Sequence, residues 1–402
     1  MKNHWGWALP LCVAVVVGSL LSGCSSSMNL VVGQVGKETV TFREVTLYAN
    51  YMLMSQGYTR SSLTAEDIKG VNGKALDVAI ENRLICQKAA ALGLYPLSAE
   101  SQQKVDDNFD SYMTRLSAAY LSAYEGSADA QAQARSAAVA SLQSAGLSEE
   151  DIKALLTVYQ VKDDLMAETT KDVAVSDDEI QAEYDNLLAD QQASYTADAT
   201  AYDTALTDGS TVVVYRPEGY RFIKHILIAM PSDIAAQITT AASSGDTATL
   251  VTLRKQGLAQ IQDKANEALA KVKGGDDFDA LMAQYGEDPG MQAEPAKTTG
   301  YQVGAASHYV PEFLTASMGL SQVGSTTDLV ATDYGYHIIK YVGDVPSGAV
   351  ALADVADELK ASVFTTKQST AFAALMEQWT KETTIKKNAA KIPVVTASPS
   401  AA

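Results

Sequence analysis

The chain of 402 residues holds only three cysteines and four histidines, and it is short of positive charge, with 30 lysines and arginines against 48 aspartates and glutamates. Each shortage excludes something. Cys12 lies inside an apolar leader and Cys24 directly behind it, so processing of that leader would leave Cys86 as the one free thiol and allow no intramolecular disulfide. Stability must then come from packing, for which a chain of this length has material for more than one core. Cys86 falls in a helical pattern and reads as a small packing residue. The formal net charge of -18, one unit more negative once Lys2 is lost, repels nucleic acid and anionic lipid surfaces. It favours solubility beside a membrane and a mild attraction for basic, unfolded chains. No Gly-x-Ser-x-Gly elbow is present to carry a hydrolase nucleophile, no His-Glu-x-x-His to bind zinc, and the acidic clusters lack calcium-loop spacing. A solute-binding protein would show alternating βα units, whereas the N-terminal half here reads as nearly all helix.

What is present starts with Lys2 and an apolar run from Trp5 to Leu21, the pattern of a secretory leader and short for a bilayer span. Leu21-Ser22-Gly23-Cys24 is similar to the bacterial lipobox, which implies cleavage before Cys24 and lipidation of its thiol. Residues 1–23 are then a signal peptide and 24–30 a tether. Val31 to Thr41 alternates about a Gly-Lys corner as a small hairpin. Thr41 with Glu44 forms a capping-box pattern ahead of a helix through Leu47, Tyr51 and Met54. A second helix runs from about Lys74 to Leu92 and stops at Gly93. Long helices broken near Gly126 fill residues 98–145, and helices capped at Ser148 and Ser176 follow. From Asp185 to Ser210 periodicity fades, giving a helical extension and a flexible insert.

Two of the four histidines open strands of one kind. Lys224-His225-Ile226-Leu227-Ile228 and, about a hundred residues on, Tyr336-His337-Ile338-Ile339 each set an imidazole before an apolar, β-branched run, so the two strands could pair in one sheet. In the first, Arg221, Ile223, His225 and Leu227 share a face, and Phe222, Lys224, Ile226 and Ile228 the other. A helix through Ala259, Ala265, Leu269 and Val272 follows an insertion at Pro231 to Gln256. Another opens at Asp276 and ends at Tyr285-Gly286-Glu287-Asp288-Pro289. Val355, Leu359, Phe372, Leu375 and Trp379 mark a long C-terminal helix.

The succession "KHILI", "KGGDDFDALMAQYGEDP", "YVPEF" and "VATDYGYHIIKYV" resembles the parvulin (rotamase) domain of peptidyl-prolyl isomerases, over roughly Tyr220 to Val345. The flanks resemble extracytoplasmic foldase lipoproteins of the PrsA type and SurA-type periplasmic chaperones. The resemblance implies an α+β chain: a helical chaperone domain (31–215), an inserted parvulin-like domain with a small antiparallel sheet flanked by helices (216–346) and a C-terminal helix that completes the chaperone domain (347–388); the tail (389–402), rich in Pro, Ser and Ala, has little to bury and reads as disordered. It implies catalytic roles for His225, Asp288, Thr332 and His337, and substrate-binding roles for Thr299, Tyr309, Phe313 and Tyr334. Phe313 would be the aromatic wall of a proline pocket. Tyr309 stands where the family often has Met, Tyr334 where a small residue is common, and Thr299 where an apolar pocket Leu is expected. No cofactor and no metal are implied, and nucleic acid is not a partner. The expected partners are unfolded or partly folded exported polypeptides with X-Pro bonds, together with the extracytoplasmic side of the cell membrane through the lipid anchor at Cys24. A homodimer is left open, and so is a non-catalytic chaperone that carries a vestigial isomerase domain.

Overall fold

The structure is a computed structural model that describes residues 25–395 except 125, 199 and 210. Cys24 and residues 396–402 lie outside the described residues. The chain divides into two compact units, the first ending at Ala174 and resuming at Phe364, the second running from Val175 to Val363. The motif-bearing segment 216–346 lies wholly inside the second unit.

In the first unit α1 (Ser25–Met28) leads into an antiparallel hairpin, β1 (Val31–Val35) and β2 (Glu38–Thr41), turning through Gly36. Five helices follow: α2 (Phe42–Ser55), α3 (Ala65–Ala91), α4 (Ala99–Leu121), α5 (Ala130–Ser144) and α6 (Glu149–Thr169). Their starts are built as the sequence suggests. Glu44 accepts the Thr41 N–H at 2.8 Å and Asp151 accepts the Ser148 N–H at 2.8 Å, so donors that the first turn would leave unpaired are satisfied. α3 starts earlier than Lys74, because Thr64 and Asp67 form another such box and the interior Gly70 and Gly73, poor helix formers, do not break it.

The second unit opens with α7 (Asp177–Ala197) and α8 (Thr200–Asp208). The segment read as a flexible insert is therefore largely helical, and its physical anchor is Tyr202, which is fully buried. Next come β3 (Tyr215–Arg216), β4 (Arg221–Ala229), the long pair α9 (Ser232–Ser244) and α10 (Thr247–Gly274), then α11 (Phe278–Tyr285) and α12 (Ala296–Thr299). β5 (Tyr301–Val303), α13 (Pro311–Gly319), β6 (Val330–Thr332), β7 (Gly335–Asp344) and β8 (Gly348–Ala349) complete the run. A four-stranded antiparallel sheet in the order β5-β4-β7-β6 is its centre. The alternation in β4 and β7 fills two cores: Ile226, Ile228 and Ile338 pack against Ala265, Ala268, Phe278 and Met282 of α10 and α11, and Ile223 and Ile339 face Phe313 of α13. Each large apolar side chain so removed from water contributes about 1.5–3 kcal/mol.

α14 (Leu352–Glu382) gives Val355 and Leu359 to the second unit, beside Ile180, Tyr184 and Val350. Farther along, its Phe372, Met376 and Trp379 pack in the first unit with Ile85, Cys86, Val161 and Leu165. β9 (Ile385–Lys387) then pairs antiparallel with β1 as a third strand. The tail is ordered farther than expected: Ile392 and Val395 pack on the hairpin core, and the Pro393 carbonyl accepts the Asn72 amide at 3.3 Å. Two apolar side chains and a paired carbonyl supply what a disordered segment lacks. Among the described residues no helix is long and apolar enough to cross a membrane.

Candidate active site

The two imidazoles meet because of strand register. His225 lies opposite Ile339 and Leu227 opposite His337, so the histidines share a face as diagonal neighbours, a separation of about 7–8 Å between backbones that two rings can bridge. Their Nδ1 atoms are 3.1 Å apart, and both residues are buried. The turn before His337 needs a glycine. Gly335 has φ +137° and its backbone passes so close to Ile228 that a Cβ would stand 2.0 Å from that carbonyl oxygen.

Asp288 arrives from the loop after α11. That loop is pinned to β4 from both sides, since the Glu287 N–H donates to Leu227 O at 2.9 Å and the Ala229 N–H donates to the Glu287 carboxylate at 2.7 Å. One residue farther, Asp288 Oδ2 lies 2.8 Å from His225 Nε2 and accepts the Tyr301 hydroxyl at 2.9 Å, while its Oδ1 accepts the Gly290 N–H at 3.0 Å. At the other end Thr332 Oγ1, fully buried, is 2.9 Å from His337 Nε2 and accepts the Tyr334 N–H at 3.1 Å.

These contacts fix proton positions. An ionised Asp288 only accepts, so His225 donates from Nε2 and its Nδ1 accepts from His337 Nδ1–H; His337 Nε2 then accepts the Thr332 hydroxyl. Each of the four ring nitrogens in the row is used once. Burial works against the Asp288 charge, but the hydrogen bond and charge of His225, the Tyr301 hydroxyl and the Gly290 N–H outweigh it and hold the carboxyl at about 2. Burial, then the neighbouring His225, depress His337 to about 3 against the attraction of Asp288, so it stays neutral. Burial and the bond to Asp288 push the Tyr301 phenol up, and burial with the charges of Asp203 and Asp288 pushes Tyr309 up to about 12; both are donors at neutral pH.

Aromatic rings wall the site. Phe313 stands edge-on to His225 and His337 at 5.1 and 5.2 Å, Tyr309 lies 5.3 Å from Phe313, and Tyr301 lies 6.0 Å from Tyr309. Of the residues singled out from the sequence, the structure thus brings together His225, Asp288, Thr332, His337, Tyr309 and Phe313. It does not bring in Thr299, which is exposed and whose hydroxyl donates to Pro295 O at 2.9 Å, because the single turn of α12 points it away. Nor does it bring in the Tyr334 side chain, 62% exposed at the β6–β7 turn. Tyr301 takes the place expected of Thr299. Its pairing opposite Ile223 puts it on the His225 face, and the alternation of Tyr301 with Val303 was the signal for it.

Residues 225–343 match the rotamase family, described as the PPIC-type PPIase domain. Foldase protein PrsA 3 of Bacillus anthracis is 40% identical over 83 residues, 21% of this chain and 28% of that relative, so this match spans little more than a quarter of the relative's length. Foldase protein PrsA of Clostridium kluyveri is 20% identical over 410 aligned residues, covering 96% of this chain and 98% of its own. Among solved structures, foldase protein PrsA from Streptococcus pneumoniae is 18% identical with a TM-score of 0.32, covering 81% of this chain and 90% of that one.

Proposed function

Because residues 225–343 form a PPIC-type peptidyl-prolyl isomerase domain of the parvulin kind in a PrsA-like chain, we propose that the His225–Asp288 site catalyses cis–trans isomerisation of X-Pro bonds in exported polypeptides. The observation that carries this reading is the juxtaposition of a hydrogen-bonded polar row, Asp288–His225–His337–Thr332, with the aromatic bay of Phe313, Tyr309 and Tyr301.

The chemistry needs no nucleophile and no cofactor. Rotation about the amide is opposed by conjugation, a barrier of about 18–20 kcal/mol. Twisting breaks the conjugation and withdraws negative charge from the carbonyl oxygen. A fixed carboxylate beside that oxygen repels the planar amide more than the twisted one, which lowers the barrier by differential binding. Asp288 is that carboxylate. His225 and Tyr301 orient it by two hydrogen bonds, and His337, itself bonded to Thr332, occupies His225 Nδ1 and so leaves Nε2–H for Asp288. The aromatic bay seats the proline ring and excludes water from the twisting bond.

The first unit supports a chaperone role alongside catalysis. It contains a groove of about 760 Å³ floored by Ile80, Leu84, Phe372 and Ile385, with Met166 and Met376 half-exposed along it. Adaptable methionine side chains in an apolar groove suit varied unfolded segments. Extracytoplasmic placement by lipidation at Cys24 belongs to the same proposal and rests on the leader and the lipobox-like tetrapeptide. Two assays on the full chain separate the roles. His225→Ala should lose most isomerisation of a proline peptide yet still suppress aggregation of an unfolded client. Equal isomerisation by the variant and the parent would refute the assignment of the site.

A further inference from the structure

The loop that carries Tyr309 is held from outside the matched domain. α8 lies before residue 225, and its Tyr202 stacks edge-on with Tyr195 at 5.3 Å and with Tyr220 at 4.8 Å. The Tyr202 hydroxyl donates to Gln302 Oε1 at 2.6 Å, on β5 just ahead of the loop. Its neighbour Asp203, only 8% exposed, accepts the Ser307 hydroxyl at 2.9 Å in the middle of the loop. Ser307 Oγ in turn accepts the Gly304 N–H at 2.9 Å, and Gly304 is seated so tightly on the Tyr220 ring that a Cβ there would come within 2.7 Å. Two residues beyond Ser307 stands Tyr309, ring to ring with Phe313 and Tyr301.

We propose that α8 is part of the isomerase site: Asp203 is a positioning residue that acts through Ser307 to hold Tyr309 against Phe313, and so sets the shape of the proline-accepting wall. This rests on the reading of that site as an isomerase. Simple docking of α8 would be served better by an apolar side chain, because a buried carboxylate is costly unless its bonds are needed. Around Asp203 stand the hydroxyls of Ser307 and Tyr220, the ring of Tyr202, and the charge of His308. Burial raises the Asp203 pKa, and the Ser307 and Tyr220 hydroxyls with His308 only partly oppose it. The acid is thus held at a cost for the sake of the loop, and the Gly304–Ser307 turn is its direct beneficiary.

The test uses the full chain and three variants, Asp203→Ala, Asp203→Asn and Ser307→Ala. Each is assayed for kcat and KM on a proline peptide and, separately, by hydrogen exchange of residues 302–309. Asp203→Ala and Ser307→Ala should lower kcat/KM about ten- to a hundredfold, the range for a misplaced positioning contact, with the loss concentrated in KM. Exchange at 302–309 should quicken at least about tenfold in both, while β4 and β7 keep their protection. Asp203→Asn retains an acceptor for Ser307 and should restore both readouts to near those of the parent. Exchange reports the clasp whether or not the chain isomerises proline, so an inactive parent would remove the enzymatic reading and leave the clasp to be judged by exchange. Unchanged exchange and unchanged KM in Asp203→Ala and Ser307→Ala would overturn the proposal. So would an Asn variant as impaired as the Ala one. If Asp203→Ala fails to fold, Ser307→Ala severs the same bond from the loop side and decides the matter alone.

Discussion

Replacing Asp288 with Ala removes three accepted hydrogen bonds at once, those from His225, Tyr301 and Gly290. Its carboxyl sits at about 2 against an ordinary 3.8, which corresponds to about 2 kcal/mol of preference for the ionised form in the fold. Removal also strands the His225 and Tyr301 donors, at about 1–3 kcal/mol for each one left unsatisfied. Some of that is recovered where water can enter, since the Asp288 side chain is 21% exposed. A stability loss of about 2–4 kcal/mol is expected from these terms, small enough for a folded variant. The catalytic loss should be larger in kind: with no fixed charge beside the amide, kcat/KM should fall about a hundredfold or more, while peptide binding, set by the aromatic bay, changes less. Asp288→Asn separates the two effects. It keeps an oxygen for one donor and so restores part of the stability, but it lacks the charge and should remain catalytically poor. Denaturant unfolding gives the first quantity and a proline-peptide assay the second. A folded Asp288→Ala chain with the parent kcat/KM would refute the electrostatic argument.

Acid should weaken the second unit in a defined window. His337 is depressed to about 3, so the stability it contributes is complete above its ordinary value of 6.5 and is lost progressively as pH falls toward 3; Asp288 adds a further loss between 3.8 and about 2. Unfolding midpoints measured from pH 7 to 4 should fall, and His337→Phe should flatten that slope. Gly335→Ala, with φ at +137° and a Cβ 2.0 Å from the Ile228 carbonyl, should cost about 3 kcal/mol or more and disrupt the β4–β7 register, as circular dichroism and loss of activity would report. Cys24→Ala should abolish lipid attachment, and mass spectrometry of membrane fractions would show it; an unmodified mature N-terminus elsewhere would contradict the anchor.

Much of the site was legible because it is written in local patterns. Two His-bearing strands with alternating apolar residues set the shared face, and the Gly286–Pro289 corner placed Asp288. What escaped depends on contacts distant in sequence. Thr299 and Tyr301 are two positions apart, one ending the single turn of α12 and the other opening β5, and the pairing opposite Ile223 puts Tyr301 on the His225 face. The helicity of residues 200–208 was hidden because its polar Thr and Asp residues mask one deciding side chain, Tyr202, whose partners are Tyr195 on α7, Tyr220 just before β4 and Gln302 on β5. Likewise β9 and Ile392 look unremarkable alone. They become ordered because β1 offers an open edge and the hairpin core an apolar face.

Catalysis at this site means a lower barrier to rotation about an X-Pro bond. Exchange spectroscopy on a short X-Pro peptide, whose unassisted interconversion takes about 10–100 s, measures that directly. The interconversion rate should rise in proportion to added chain and fall back with Asp288→Ala at equal concentration. A rate that stays at the unassisted value at every concentration of folded parent chain would contradict it.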